Sequence, residues 1–215
     1  MPEPPLPYAR LIECRACPRL AQHLDAVAAR YPGYYCRPVR PRGPRDARLL
    51  IVGLAPGMHG ANRTGRPFAG DASGTFLFDA LMRAGFASSA DPFTARLIDT
   101  RITNAVRCLP PANRPTGDEV RRCSGYLAHE LTELWRPGVR RPRAVLALGR
   151  IAHDALGLAL GRRLPPFRHG AELELASGLR LLDTYHPSRQ NTNTGRLTMT
   201  MLEAVLRRAA SYLAG

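Results

Sequence analysis

One glycine-rich stretch, Gly53–Gly74, holds an unusual density of residues that could do chemistry. It follows an apolar run and precedes a helical pattern, and it places the ring of Phe68 three residues before the carboxylate of Asp71. Glycine lets the backbone approach a ligand closely, and long loops in compact domains are usually functional or disordered. The stretch therefore favours a functional loop, although Asp71 also suits a helix N-cap and Phe68 a core position. The stretch also holds Arg66 and three polar side chains that singly suit turns, His59, Asn62 and Arg63.

A second polar loop, His186–Arg196, follows the last predicted strand. A histidine at a strand end can place an imidazole at a reacting centre, and Arg189 and Arg196 can hold phosphates. The alternative is a capping loop with a structural histidine. Spacing alone leaves both open.

Four of the five cysteines suggest a metal group. Cys14 and Cys17 form a C-x2-C pair, and Cys108 and Cys123 lie farther along the chain. Four thiolates suit Zn²⁺ or an iron–sulfur cluster; the alternative for each is a small buried apolar residue. Cys36 has no chelating neighbour and is predicted to be left over.

The charge of the chain favours a polyanionic partner, nucleic acid first. The 215 residues hold 31 basic and 17 acidic side chains, a net charge of +14, and every basic one is arginine. A strongly basic surface favours nucleic acid; a GC-rich genome would explain arginine over lysine but not the excess of base over acid. We expect a cytoplasmic protein without a membrane segment, since no apolar run approaches roughly 20 residues and the N-terminus lacks a signal-peptide pattern. We also expect a monomer.

Alternating strand and helix patterns predict an α/β fold with helices on both faces of a parallel sheet. We expect residues 1–215 to form one domain. In such sheets ligands bind beyond the carboxyl ends of the strands, where this sequence puts the first loop, Asn104 and His186. The predicted strands are 48–54, 96–106, 144–148 and a pair at 172–175 and 179–185 about a Ser177–Gly178 turn. The predicted helices span about 18–30, 74–84, 118–135, 150–160 and 197–213.

Two long motifs together resemble the family 5, or type b, uracil-DNA glycosylases. The first is Gly53-Leu-Ala-Pro-Gly-Met-His-Gly-Ala-Asn-Arg-Thr-Gly-Arg-Pro-Phe-Ala-Gly-Asp-Ala-Ser-Gly74, and the second runs from His186 to Thr198. The likeness extends from Cys14 to the last helix. It implies a three-layer α/β/α fold with a central four-stranded parallel sheet, and removal of uracil from single- or double-stranded DNA. The resemblance leaves open whether hypoxanthine, xanthine and other deaminated bases are also removed.

The resemblance also implies roles for individual residues. Phe68 would stack on an extruded base, His186 would donate a hydrogen bond to the base carbonyl, and Asp71 would be the carboxylate near the sugar. A structural [4Fe–4S] cluster, with zinc as the alternative, would be held by Cys14, Cys17, Cys108 and Cys123. The other implied substrate contacts are Gly53, Ala55, His59, Asn62, Asn104 and Asn191. The implied DNA contacts are Arg63, Arg66, Arg189, Gln190 and Arg196.

Two residues depart from the family 5 pattern. Pro187 follows the motif histidine where family 5 often has valine, and Asn104 resembles the base-reading asparagine of family 4, where many family 5 members have alanine. Two rival hypotheses are a non-catalytic iron–sulfur DNA-binding protein and an α/β hydrolase acting on another nucleotide. The chain lacks the G-x-S-x-G and Walker motifs of such hydrolases, and the presence of both Asp71 and His186 argues against a non-catalytic protein.

Overall fold

A computed structural model of the protein describes residues 3–135, 141–176 and 178–215. Within those ranges the α-helices are α1 (Pro18–Arg30), α2 (Ala61–Thr64), α3 (Ala72–Arg83), α4 (Gly117–Leu134), α5 (Arg150–Leu160), α6 (Arg189–Asn193) and α7 (Met199–Ala214). The strands are β1 (Leu49–Gly53), β2 (Thr100–Asn104), β3 (Arg143–Leu148), β4 (Glu172–Ala176) and β5 (Leu179–Thr184). Short 3₁₀ helices lie at Tyr8–Glu13 and Pro111–Asn113.

The strands of the described residues form one five-stranded sheet in the order β2-β1-β3-β5-β4. The pairs β1–β2, β1–β3 and β3–β5 are parallel, whereas β4 pairs antiparallel with β5. The predicted α/β class and the four parallel strands are thus confirmed. The observed sheet has five strands, however, one more than the predicted four. The fifth strand is β4, the first strand of the predicted pair at 172–175 and 179–185, and it forms an edge of the sheet. Ser177, which was predicted to form part of the turn between the two strands, lies outside the described residues.

Alternate residues of the central strands supply two separate cores, one on each face of the sheet. Leu50 and Val52 pack in the cluster that includes α4 and α5, whereas Leu49 and Ile51 pack in the cluster that includes α3 and α7. Successive side chains of a strand point to opposite faces, so a fully buried run such as β1 requires helices on both sides. This produces the three layers.

The helix ends follow their sequence signals. Thr116 accepts a hydrogen bond from the backbone of Glu119, whose side chain accepts one from the backbone of Thr116, a complete capping box at the start of α4. Pro18 occupies the first turn of α1, where its missing N–H costs nothing. The helices α2 and α6 were not predicted, because four and five residues are too few to show helical periodicity.

The described helices include none that is long and apolar enough to cross a membrane. The prediction that residues 1–215 form one domain stays a prediction.

Candidate active site

The glycine-rich stretch closes over the carboxyl edge of the sheet at Gly53. A side chain there would place Cβ 2.7 Å from the ring of Phe68 and 2.5 Å from Oδ1 of Asn104. Phe68 itself has a φ of 53° and is only 8% exposed. A left-handed conformation is unusual for an aromatic residue and marks a position that the surrounding structure holds in place. The missing side chain of Gly53 thus lets a ring and an amide approach the end of β1.

Asp71 is both a helix cap and a residue of the loop interior. Its Oδ1 accepts a hydrogen bond from the backbone N–H of Gly74 at 2.9 Å, which caps α3. Its Oδ2 lies against the backbone of the loop, where a Cβ built on Gly60 would come within 2.0 Å of it and one on Gly57 within 2.9 Å. The alternative of an N-cap is therefore confirmed, and one carboxylate oxygen remains on the loop side.

Asn104 ends β2 directly beside the end of β1. Its side chain is 3% exposed, yet its Oδ1 has no hydrogen-bond partner among the described residues. Buried polar atoms are nearly always satisfied in folded proteins. An unpaired amide oxygen at the edge where ligands bind is therefore a candidate ligand contact.

His186 follows β5 and is positioned by backbone features on both sides. Gly149, at a φ of +90°, lies so close that a Cβ there would be 3.2 Å from Cβ of His186. Nδ2 of Asn191 donates a hydrogen bond to the carbonyl oxygen of His186 at 2.8 Å. Burial lowers the pKa of His186 to about 4, although the charge of Asp71 opposes the change. The imidazole is thus neutral at neutral pH.

These segments enclose one cavity of about 400 Å³ at the carboxyl edge of the sheet. The rings of Phe68 and His186 lie in it with centroids 6.0 Å apart. The predicted site residues that line it are Ala55, His59, Phe68, Asp71, Asn104, His186 and Arg189. Three separate segments of the chain thus deliver a carboxylate, an amide and an imidazole to one place.

Several predicted substrate contacts lie outside this lining. Asn62 is fully buried, and its Nδ2 lies 3.5 Å from Sγ of Cys36. Asn191 braces His186 and lines an adjoining cavity of about 480 Å³. Gly53 has no side chain, and this absence leaves room for the side chains of Phe68 and Asn104. The structure brings these residues next to the cavity residues and not into the cavity itself.

The predicted DNA contacts lie around the two loops as exposed side chains. Arg63 donates a hydrogen bond to the carbonyl of Gly70, and Arg66 donates one to the carbonyl of Phe93. Arg196 lies over the ring of Tyr185 at 4.6 Å and lines the adjoining cavity. Gln190 is exposed on α6.

Several side chains of the site were not assigned a role by the sequence analysis. Met58, Asn113 and Ser188 line the cavity, and the hydroxyl of Tyr34 is hydrogen-bonded to Nδ1 of His59 at 2.9 Å. Asn113 has a φ of 55°, which asparagine tolerates better than most residues. Its position in a proline-rich loop shortly after Asn104 was the available signal; Tyr34 offered none.

The four predicted metal ligands line a different, small cavity. Cys14 and Cys17 come from the N-terminal segment, Cys108 follows β2, and Cys123 lies on α4. Burial raises the pKa of Cys108, and it raises that of Cys123 to about 11. Among the described residues, no three cysteine, histidine or carboxylate side chains form a group that could hold a metal ion. The metal group stays a prediction, whereas the shared lining agrees with the choice of these four thiols.

Three arginines line the same cavity, and no carboxylate does so among the described residues. Arg15 pairs with Asp25 outside the cavity, and Arg122 donates to the carbonyl of Ala16. Arg107 is 1% exposed, and its backbone N–H donates to Sγ of Cys123 at 3.4 Å. Burial lowers the pKa of Arg107 to about 10. Three arginines therefore lie around the thiols, and the one carboxylate whose charge also reaches Cys17 and Cys108, that of Glu119, is paired with Arg19.

The sequence of the chain matches one known family over most of its length. Residues 40–210 match the model of the uracil DNA glycosylase superfamily. The chain therefore belongs to the uracil-DNA glycosylase superfamily.

Within it, the chain is 48% identical over 209 residues to a Type-5 uracil-DNA glycosylase of Thermus thermophilus, with 93% of each chain covered. It is 46% identical over 212 residues to a Type-5 uracil-DNA glycosylase of Pyrobaculum aerophilum, covering 94% of this chain and 90% of that one. A Type-4 uracil-DNA glycosylase of the latter organism is 36% identical over 151 residues, covering 70% of this chain and 62% of that one. The resemblance to family 5 is confirmed, and neither rival hypothesis is favoured.

Proposed function

We propose that this protein is a DNA repair enzyme that hydrolyses the N-glycosidic bond between uracil and deoxyribose. The observation that supports this most is the meeting of Asp71, Asn104 and His186 beside the ring of Phe68 in one cavity. A carboxylate, an amide and a neutral imidazole are the groups needed to face a sugar cation, a base edge and a base anion.

The target base enters the cavity by leaving the DNA stack. A base inside a duplex is inaccessible, and extruding it costs a few kcal/mol, least for a mispair. Stacking on an aromatic ring returns ~1–3 kcal/mol. Phe68 supplies that ring, held by its packing on Gly53.

Asn104 reads the edge of the base. Uracil presents an N3–H donor beside the O4 acceptor, so Oδ1 of Asn104 accepts from N3–H while Nδ2 donates to O4. Cytosine presents an acceptor and a donor in the reverse order and is rejected. Hypoxanthine and xanthine offer N1–H beside O6, the same order as uracil, and therefore share the contact.

Bond cleavage separates charge, and the cavity has a group for each sign. The electron pair of the C1′–N bond leaves with the base, water adds its hydroxyl to C1′, and its proton balances the base anion. His186 donates its imidazole N–H to the carbonyl where negative charge develops. Asp71, the one acidic residue among the described residues of the lining, stabilises the sugar cation and accepts the proton of the attacking water.

The flanking DNA is held by exposed charges around the cavity. Arg63, Arg66, Arg189 and Arg196 neutralise phosphates and Gln190 donates to them, so binding weakens as salt rises. The net charge of +14 supports this contact with a polyanion.

The experiment that tests the proposal is a panel of labelled oligonucleotides, each with one uracil, hypoxanthine or xanthine, in single and double strands. After incubation, alkali breaks the strand wherever a base has been removed. We expect breaks at uracil in the wild type, and far fewer for the Asp71→Asn variant as the matched control. Intact uracil strands at high protein concentration would overturn the proposal.

Replacing Asn104 by alanine should lower kcat/KM on uracil about 10- to 100-fold, because a good bidentate contact to a base contributes ~1–3 kcal/mol. The affinity of Asn104→Ala for an abasic product should stay within about twofold of the wild-type value, because such DNA has no base for Asn104 to contact. Single-turnover assays and fluorescence anisotropy measure the two quantities. Asn193→Ala, an exposed asparagine outside the cavity lining, is the control. Equal losses on uracil and on abasic DNA would contradict the assignment.

We also propose that Cys14, Cys17, Cys108 and Cys123 hold a [4Fe–4S] cluster. Four thiols around one cavity with a buried, unpaired cation beside them suit an anionic thiolate-ligated group. The cluster would tie the N-terminal segment to the region after β2, so its chemistry here is structural. Protein purified in air should be brown, with broad visible absorbance and about four iron atoms per chain. A colourless protein that contains zinc would show the alternative instead.

A further inference from the structure

Arg107 is a buried cation whose charge the described residues do not balance. It is among the largest fully buried side chains of the protein, at 1% exposure. One of its terminal nitrogens donates to the hydroxyl of Thr103. Its Nε and its other terminal nitrogen have no hydrogen-bond partner within the described residues.

A buried guanidinium without an anion is costly. Removing an unpaired charge from water costs several kcal/mol, and native proteins pair such charges with an opposite one. Arginine cannot relieve this cost by losing its proton at neutral pH. Arg107 lines the cavity of the four cysteines, which is where a bound anion would come close to it.

The cavity offers one source for that anion. The lining holds four cysteines and three arginines but no carboxylate among the described residues. The backbone of Arg107 already donates to Sγ of Cys123. Thiolates that ligate a metal group are deprotonated and carry the negative charge that neutral thiols lack.

We propose that Arg107 is the internal counter-ion of the cluster that the four cysteines hold. It stabilises the bound group electrostatically and raises its reduction potential, because a positive neighbour favours the more negative, reduced form. The inference rests on the proposed cluster. Arg107 is a positioning residue for that group and not a catalytic one.

The test compares Arg107→Met, which removes the charge at similar volume, with Arg107→Lys, which keeps it. For each loaded protein we would measure iron per chain, the rate at which a chelator bleaches the visible absorbance, and the midpoint potential. Arg107→Met should bleach about tenfold faster or more than wild type and show a lower potential. Arg107→Lys should stay within about twofold of the wild-type rate, with a potential nearer to it.

The control variant is Arg101→Met. Arg101 is a partly buried arginine of β2, but its partner is the carboxylate of Glu130. Breaking that pair should lower the melting temperature without lowering the potential of the cluster, which separates loss of charge from loss of stability.

The outcomes separate this inference from the cluster itself. A colourless wild type overturns both. A brown wild type with an Arg107→Met variant of unchanged bleaching rate and potential overturns only the role of Arg107. If Arg107→Met does not fold, Arg107→Gln, which also removes the charge, takes its place: faster bleaching and a lower potential support the counter-ion, and wild-type values of both overturn it.

Discussion

Replacing Asp71 by asparagine should slow base release about 10³-fold while leaving the melting temperature nearly unchanged. The variant loses the negative charge that faces the sugar, and removing a preorganised charge or a general base typically costs about 10²- to 10⁴-fold. It keeps the helix cap, because asparagine is as good an N-cap as aspartate. Single-turnover kinetics on uracil DNA and thermal unfolding measure the two effects.

Asp71→Ala is the matched control, because it removes both the charge and the cap. It should show a similar loss of rate and, in addition, lose about 1 kcal/mol of stability, since the bond from Gly74 to Oδ1 goes as well. An Asp71→Asn variant with nearly wild-type kinetics would show that Asp71 is only a cap.

Replacing His186 by alanine should slow base release about 10²- to 10³-fold, since it removes a donor aimed at the developing anion. His186→Gln, which keeps an N–H donor, should recover part of that loss. Between pH 5 and 8 the wild-type rate should show no ionisation that belongs to His186, because its pKa is about 4. An ionisation near pH 6.5 that disappears in His186→Gln would contradict the neutral imidazole.

The same pKa makes His186 a source of acid sensitivity. In the unfolded chain a histidine binds its proton near pH 6.5, whereas in the folded protein it does so only near pH 4. Between these two pH values the unfolded state therefore binds more protons than the folded state. As the pH falls from about 6.5 to 4, His186 consequently lowers the free energy of unfolding. Wild type should lose more melting temperature between pH 7 and pH 5 than His186→Gln does.

The positions of the loops could be predicted from the sequence, whereas the contacts inside them could not. Buried parallel strands appear as continuous apolar runs, so the carboxyl edge and the polar groups beyond it follow from the pattern. That reasoning placed Asp71, Asn104 and His186 together, and the structure confirms their meeting.

The remaining contacts depend on side-chain packing that has no sequence period. Nothing in the pattern shows that Phe68 adopts a left-handed backbone, that Asn62 faces Cys36, or that Tyr34 holds His59. Asn62 and Arg63 belong to the same motif, yet one is buried and the other exposed, because a helix of four residues turns them to different sides.

The strand order also determines when the site can form. The loop with Asp71 follows β1 and the loop with His186 follows β5, and these strands do not pair; β3 lies between them. The parallel pairs β1–β3 and β3–β5 each join segments far apart in the chain. Such non-local contacts form slowly because loop-closure entropy opposes them. A folding intermediate with β1 paired to β3 but without β5 would hold Asp71 on its loop and no imidazole opposite. Recovery of activity during refolding therefore reports the formation of the complete sheet. Helix content, which can recover before β5 joins the sheet, does not.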